Sequence, residues 1–262
     1  MIFDTHAHYD DDAFSGDREE MLAALRPAGI SHIIDVGASK KSMPVVKEIA
    51  DRHDFVYGAL GMHPDEVGDI DAGLLTFMEE GLEDPKIVAV GEIGLDYHWD
   101  VQPHDVQAHW FMEQIRIAWE HELPILIHSR AAAADTMNII QKMYGKGAPG
   151  ASIRRKGIMH CYSYSLEQAR IYTEMGFYLG IGGTVTFKNA KKLKRVVTEI
   201  PLEHLVLETD CPYMAPEPHR GTRNSSLNLP YVVEEIARLK GITPKEVEDV
   251  TFASAMDLFR IS

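Results

Sequence analysis

The sequence predicts an α/β fold, a (β/α)8 barrel of one domain spanning residues 1–262 with an extra C-terminal helix. Three observations predict it. Short β-rich apolar runs alternate with amphipathic helical stretches, and strands alternating with helices imply a parallel sheet. Eight such units fit into 262 residues, the length of a closed barrel. A doubly wound open sheet is the competitor, but no Gly-x-Gly-x-x-Gly follows the first strand and no Walker loop occurs. There is no internal repeat beyond the β/α alternation and no linker that would split the chain.

Taken in order, residues 2–8 read as the first strand and 17–26 as a helix stopped by Pro27 and Gly29. Residues 32–37 form strand two. The helix over 40–53 places Val45, Val46, Ile49 and Ala50 on one face. Strand three (55–61) precedes a helix at 71–80, and strand four (87–92) precedes the longest helix, 102–122. Strand five (124–129) leads to a helix at 132–144 and a Gly-rich loop at 145–150. Strand six (157–162) leads to a helix at 165–175, strand seven (177–181) to one at 190–199. After strand eight (204–210) a long Pro- and Arg-containing loop runs to about Asn228, then a helix at 230–240. Pro244 stands at a favoured first helical position of the last helix.

Composition excludes several classes. At 45% hydrophobic the chain can bury a large core, yet no apolar run approaches the ~20 residues of a membrane span. Met-Ile-Phe-Asp at the start has neither a basic region nor a long apolar one, so no signal peptide is expected and the chain is placed in the cytoplasm. Two cysteines, Cys161 and Cys211, are too few for a disulfide framework. A net charge of -14 argues against broad polyanion binding, so any nucleic acid must be held by a local positive site. A monomer is compatible with the sequence.

Chemistry concentrates where strands end. On a strand, side chains alternate faces, so His6 and His8 of Asp4-Thr5-His6-Ala7-His8 point the same way, about 7 Å apart, and Asp4 shares their face. Glu92 ends strand four, His128 strand five, His160 strand six and Asp210 strand eight. Barrel closure brings these six to one rim, the end where barrel sites lie. So many buried titratable groups are costly unless a cation holds them, the rival being a hydrogen-bonded polar barrel mouth. Six ligands suffice for two divalent ions if Glu92 bridges, with His6, His8 and Asp210 on one and His128 and His160 on the other. Two ions ~3.5–4 Å apart clamp attacking and leaving oxygens and lower the pKa of water from about 15.7 to about 7. Asp210 is then placed to accept or deliver a proton.

Other nucleophiles are poorly supported. Strand alternation is expected to turn Cys161 and Cys211 away from His160 and Asp210, as buried thiols, and no Gly-x-Ser-x-Gly elbow occurs. Around the rim, His63, Arg130, Arg220 and Arg223 are candidate substrate contacts, since a guanidinium fork matches phosphate oxygens. Lys188, Lys191, Lys192, Lys194 and Arg195 form a basic run after strand seven that reads first as a solvated helix face. Arg154-Arg155-Lys156 belongs to the opposite face. Asp96, Tyr97 and His98 are placed to shape the pocket, and Glu208 to orient a ligand or plug the barrel.

Four segments resemble the TatD family of metal-dependent deoxyribonucleases, among the amidohydrolase-type barrels. They are Phe3-Asp4-Thr5-His6-Ala7-His8, Gly91-Glu92-Ile93-Gly94-Leu95-Asp96-Tyr97, Pro124 through Arg130, and Pro201 through Pro212 with its continuation to Asn224. Tyr9 departs from the family's usual aliphatic residue or Phe, Ala131 and Ala134 from its polar ones, and residues 225–229 lengthen the link to Pro230. The resemblance implies hydrolysis of phosphodiester bonds by metal-bound hydroxide, as a 3′→5′ exonuclease on single-stranded DNA ends, with magnesium as the usual cofactor. Imidazole-rich ligands favour zinc, nickel or manganese over magnesium. Two other readings stay open: a hydrolase of a small ester, lactone or amide on the same barrel, and a non-enzymatic scaffold stabilised by metal.

Overall fold

A computed structural model of the protein describes residues 1–99 and 101–261. Eight strands lie in sequence order, each parallel to the next. They are β1 (Ile2–Ala7), β2 (Ile30–Gly37), β3 (Val56–Leu60), β4 (Ile87–Asp96), β5 (Ile125–Arg130), β6 (Gly157–Met159), β7 (Tyr178–Ile181) and β8 (Leu205–Leu207). The helices between and after them are α1 (Arg18–Leu25), α2 (Ser42–Arg52), α3 (Ala72–Leu82), α4 (His104–Glu120), α5 (Ala133–Tyr144), α6 (Leu166–Glu174), α7 (Lys191–Glu199), α8 (Leu229–Lys240) and α9 (Pro244–Phe259). The sheet curls until β8 meets β1: the Asp210 amide donates to His6 O at 2.9 Å, and Thr5 Oγ1 donates to Leu207 O at 2.9 Å. The (β/α)8 expectation holds, with α9 as the extra helix.

Helix faces follow the apolar spacing. α2 buries Met43, Val46, Ile49 and Ala50, so Met43 takes the core place expected of Val45. α9 opens with the expected proline and a capping box, Thr243 receiving the Glu246 amide while Glu246 reaches back to the Thr243 amide. Most apolar side chains pack between strands and outer helices. A second buried cluster holds Ile34, Val36, Leu126, Ile158 and Val206 together with Phe3 and with Leu258 and Phe259 of α9. Leu126 and Ile158 stand two residues before His128 and His160, so this apolar layer lies beneath the histidines inside the barrel. α9 closes that lower end, with Phe3 and Phe259 rings 5.8 Å apart. Among the described residues no helix is long and apolar enough to cross a membrane.

Three strands end elsewhere than periodicity suggests. β4 continues past Glu92 to Asp96, because His128 and Arg130 of β5 remain available as its partners. β6 and β8 stop after three residues each. Just beyond them the chain turns through left-handed backbone at Cys161 (φ 45°) and Asp210 (φ 55°), which strand alternation does not describe. In β1 a register shift between Asp4 and Ala7 likewise breaks the alternation. The Asp4 carboxylate therefore leaves the histidine face. It accepts from Thr209 Oγ1 and from Ser226 Oγ, each at 2.6 Å, tying β1 to the segment before α8.

Candidate metal centre

At the upper end the strand ends converge around Glu92, which is almost wholly buried. Its two carboxylate oxygens face different histidine pairs. Oε2 lies 3.5 Å from His6 Nε2 and 3.6 Å from His8 Nε2. Oε1 lies 2.8 Å from His128 Nδ1 and 3.8 Å from His160 Nε2. Asp210 joins from the β8 side, its Oδ1 3.4 Å from His8 Nε2 and 3.5 Å from His160 Nε2. The six residues expected to meet therefore do meet. The His6 and His160 rings stack at 3.5 Å, and the His6 and His8 Nε2 atoms approach to 3.2 Å.

A layer behind them holds the rings in place. His8 Nδ1 bonds the Val36 carbonyl at 2.8 Å, His160 Nδ1 bonds Glu208 Oε2 at 3.1 Å, and His128 Nε2 bonds Asp96 Oδ2 at 2.9 Å. In each case one ring nitrogen is anchored and the other is turned to the centre, the pattern that fixes tautomer and direction in metal-binding histidines. Glu208 fits only because residue 180 is glycine: a Cβ there would stand 2.0 Å from its carboxylate. Gly94 plays the same part in β4, where a Cβ would stand 1.9 Å from His128 O.

Burial and the neighbouring charges pull the titration of these groups in opposite directions. Burial alone would lower His8, but its bond to Asp210 and the charges of Glu92 and Asp10 outweigh that and raise it to about 10. Burial is likewise overcome at His128, raised to about 9 by its bonds to Asp96 and Glu92. For Glu92 and Asp210, burial opposes ionisation, yet the surrounding histidines hold both carboxyls well below the usual range. His6 is lowered by burial and by the neighbouring charge of His160, and its Nδ1 is buried without a hydrogen-bond partner. His63 is lowered to about 4 by burial and by His128, so it is neutral at pH 7.

The donor set fits divalent cations. His6, His8 and Glu92 each bring a ligand atom within 4.8 Å of the others, as do His63, Glu92 and His128, and also His160, Cys161 and Asp210. Anchored imidazoles, anionic carboxylates and a concentration of buried charge suit such an ion better than a merely hydrogen-bonded barrel mouth.

The centre lies at the floor of a cavity of about 1070 Å³. His63 and Arg130, two of the candidate substrate contacts, line it, and the His63 ring lies 4.3 Å from that of His128. The structure does not bring Arg223 there. Its guanidinium pairs with Asp17, donates to Ala13 O and lies over Phe14, so the acidic segment before α1 has claimed it. Arg220 lies over the Phe187 ring, outside the cavity lining. Cys211 is buried away from the centre as anticipated, but Cys161 is not turned away: its sulfur approaches His160 and Asp210 because β6 has already ended. Burial raises that thiol to about 12, so it is no ready nucleophile. Asp10 and Asp65 also line the cavity. The spacing of Asp10, two residues after His8, was the available signal for it. The basic run is divided: Lys191 and Lys192 line the cavity, whereas Lys194 pairs with Glu235 at 2.9 Å.

The chain is similar to known proteins over its whole length. The family model described as TatD related DNase matches residues 3–260. An uncharacterized metal-dependent hydrolase of Bacillus subtilis, YabD, is 42% identical over 262 residues, 100% of either chain. The 3'-5' ssDNA/RNA exonuclease TatD of Cronobacter sakazakii is 31% identical over 264 residues, 98% of this chain and 97% of its own. Among solved structures, YjjV, a TatD homolog from Escherichia coli K12, has a TM-score of 0.91 at 30% identity, covering 100% of this chain and 98% of that one.

Proposed function

The chain belongs to the TatD-related DNase family of metal-dependent hydrolases, and from that premise we propose that it cleaves phosphodiester bonds of DNA as a 3′→5′ exonuclease on single-stranded ends. One observation carries the two-ion form of this reading: the oxygens of Glu92 divide between the His6–His8 pair and the His128–His160 pair. His6, His8 and Asp210 would hold one ion and His128 and His160 the other, with Glu92 between. Imidazole donors favour zinc, nickel or manganese, and carboxylates also admit magnesium. Such ions supply Lewis acidity toward a phosphoryl oxygen and a water of low pKa.

The remaining chemistry belongs to side chains. The Asp210 carboxylate is 19% exposed against 6% for Glu92, so of the two it reaches toward entering substrate. It is the group suited to take a proton from the attacking water. Neutral His63 would hydrogen-bond a phosphate oxygen rather than ion-pair with it. Arg130 is exposed at the end of β5 and offers its fork to another. Arg220 and Arg223 have no part in this reading at the phosphate. The similarity to a relative named as a 3'-5' ssDNA/RNA exonuclease supports the substrate class.

The test is metal analysis joined to digestion of end-labelled single-stranded DNA with each divalent ion. The protein is expected to release mononucleotides, and Glu92→Ala to lose bound metal and this activity together. A Glu92→Ala protein that retains metal and cuts DNA as well as the parent would end the proposal.

A further inference from the structure

The rim of the cavity is electrically divided. Asp10 and Asp11 follow β1, and Asp65 and Glu66 follow β3; all four line the cavity. Arg130 ends β5, and Lys191 and Lys192 follow β7; these are its cationic lining. Because the strands stand in sequence order around the barrel, the acidic sector and the basic sector face one another across the centre. A phosphodiester chain carries one negative charge per nucleotide and is repelled by the first sector.

We infer that Lys191 and Lys192 form the docking site for the backbone of single-stranded DNA next to the cleavage position, so that the strand leaves the cavity over the β7 side. This rests on the DNA reading above and deepens it. In a chain where Asp and Glu outnumber Lys and Arg by 40 to 26, five of the thirteen lysines make ion pairs among the described residues. Lys40, Lys41, Lys47, Lys194 and Lys245 all pair. Lys191 and Lys192 are exposed and make no ion pair among the described residues. The α7 face behind them is anchored by buried Leu193, Val196 and Val197, so the two ammonium groups are presented from a fixed element. Residue Ala190, at the start of that helix, offers no side chain to its first amides, which leaves the end of the helix positive as well.

The experiment compares the parent with Lys191→Gln/Lys192→Gln, with Lys191→Arg/Lys192→Arg, and with Lys142→Gln/Lys146→Gln. The last removes the same charge in the last turn of α5 and just past its end. Binding of a fluorescein-labelled oligothymidylate is followed by anisotropy in chelator, and turnover of the same strand and of bis(p-nitrophenyl) phosphate is followed in manganese, both across a salt series. The glutamine pair at 191 and 192 is expected to lower the log–log salt slope by about 1.4, two contacts on a single strand at roughly 0.7 each. Its loss in kcat/KM on the strand should fall in KM, lowering preference for strand over small diester several-fold. The arginine pair should keep the parental slope, and so should the pair at 142 and 146. An unchanged slope and KM in the glutamine pair, with the parent cutting the strand, overturns the lysine site alone. A parent that hydrolyses the small diester but binds and cuts no strand overturns the DNA reading and the lysine site with it.

Discussion

The two ends of this barrel are built from the same strands and have opposite interiors. At the lower end Phe3, Leu126, Ile158 and Val206 meet Leu258 and Phe259 of α9, and the interior is apolar and closed. Two residues further along, within β5 and just past the end of β6, the inward positions become His128 and His160, and the interior is charged and open to a cavity. Burial stabilises the first arrangement directly. The second gathers groups that each cost free energy to bury, and that cost is offset only by their mutual pairing or by cations. The difference teaches that one end carries the fold and the other carries the chemistry, the division expected of a barrel.

That division can be broken at its strongest point first. Glu92→Gln keeps the volume but removes the charge shared by both histidine pairs. Turnover of single-stranded DNA should fall by about 10³-fold or more, with bound metal lost in elemental analysis. Phe259→Ala cuts into the other end. Truncating a buried Phe costs roughly 3–5 kcal/mol, visible as a lower denaturant midpoint, while the metal-to-protein ratio of the folded protein stays at the parental value. If Phe259→Ala also emptied the centre, the two ends would not be separable. Asp96→Asn probes the layer behind the ligands. It keeps the shape but weakens the hold on His128 Nε2, so metal affinity should fall about 10–100-fold, read by competition with a chromophoric chelator.

The same contrast explains what could be read from the chain beforehand. The apolar runs and the titratable residues that close several of them are local patterns, so eight strands, Glu92 and the five residues gathered around it are legible in the sequence. What escaped depends on the path of the chain after a strand stops. Cys161 was expected to face away, but the left-handed turn at φ 45° carries its sulfur toward His160. Alternation alone puts Asp4 on the histidine face, but β1 shifts register and the Asp4 carboxylate goes to Thr209 and Ser226. Arg223 looked like a phosphate ligand because charge is visible in a sequence and a partner such as Asp17 is not. Two departures from the family pattern prove to be neighbours: the Tyr9 hydroxyl lies 2.9 Å from Ser226 Oγ in the lengthened segment, and it accepts the Ser226 amide at 3.0 Å. Neither position hints at the other, 217 residues apart.

The smallest effect is also the one that best separates the ends, because both contain histidine. His32, at the lower end, is lowered by burial and by the charge of Arg26, so it is neutral near pH 7 and binds no proton that a metal could displace. His8 and His128 are raised to about 10 and about 9, so both are protonated at pH 7 in metal-free protein. A ligating nitrogen must be unprotonated. Adding zinc or manganese to chelator-treated protein at pH 7 in dilute buffer should therefore release protons to an indicator dye. Metal affinity should rise with pH up to about 9–10 and level off above. The sign for stability is the reverse. A histidine raised above its ordinary 6.5 favours the folded state below pH 6.5, and that contribution disappears as pH climbs through 9 to 10. Metal-free protein should thus lose stability over the same interval in which metal binds more tightly. Metal uptake without proton release at pH 7 would mean that the upper histidines are as neutral as His32, and the electrostatic contrast between the two ends would fail.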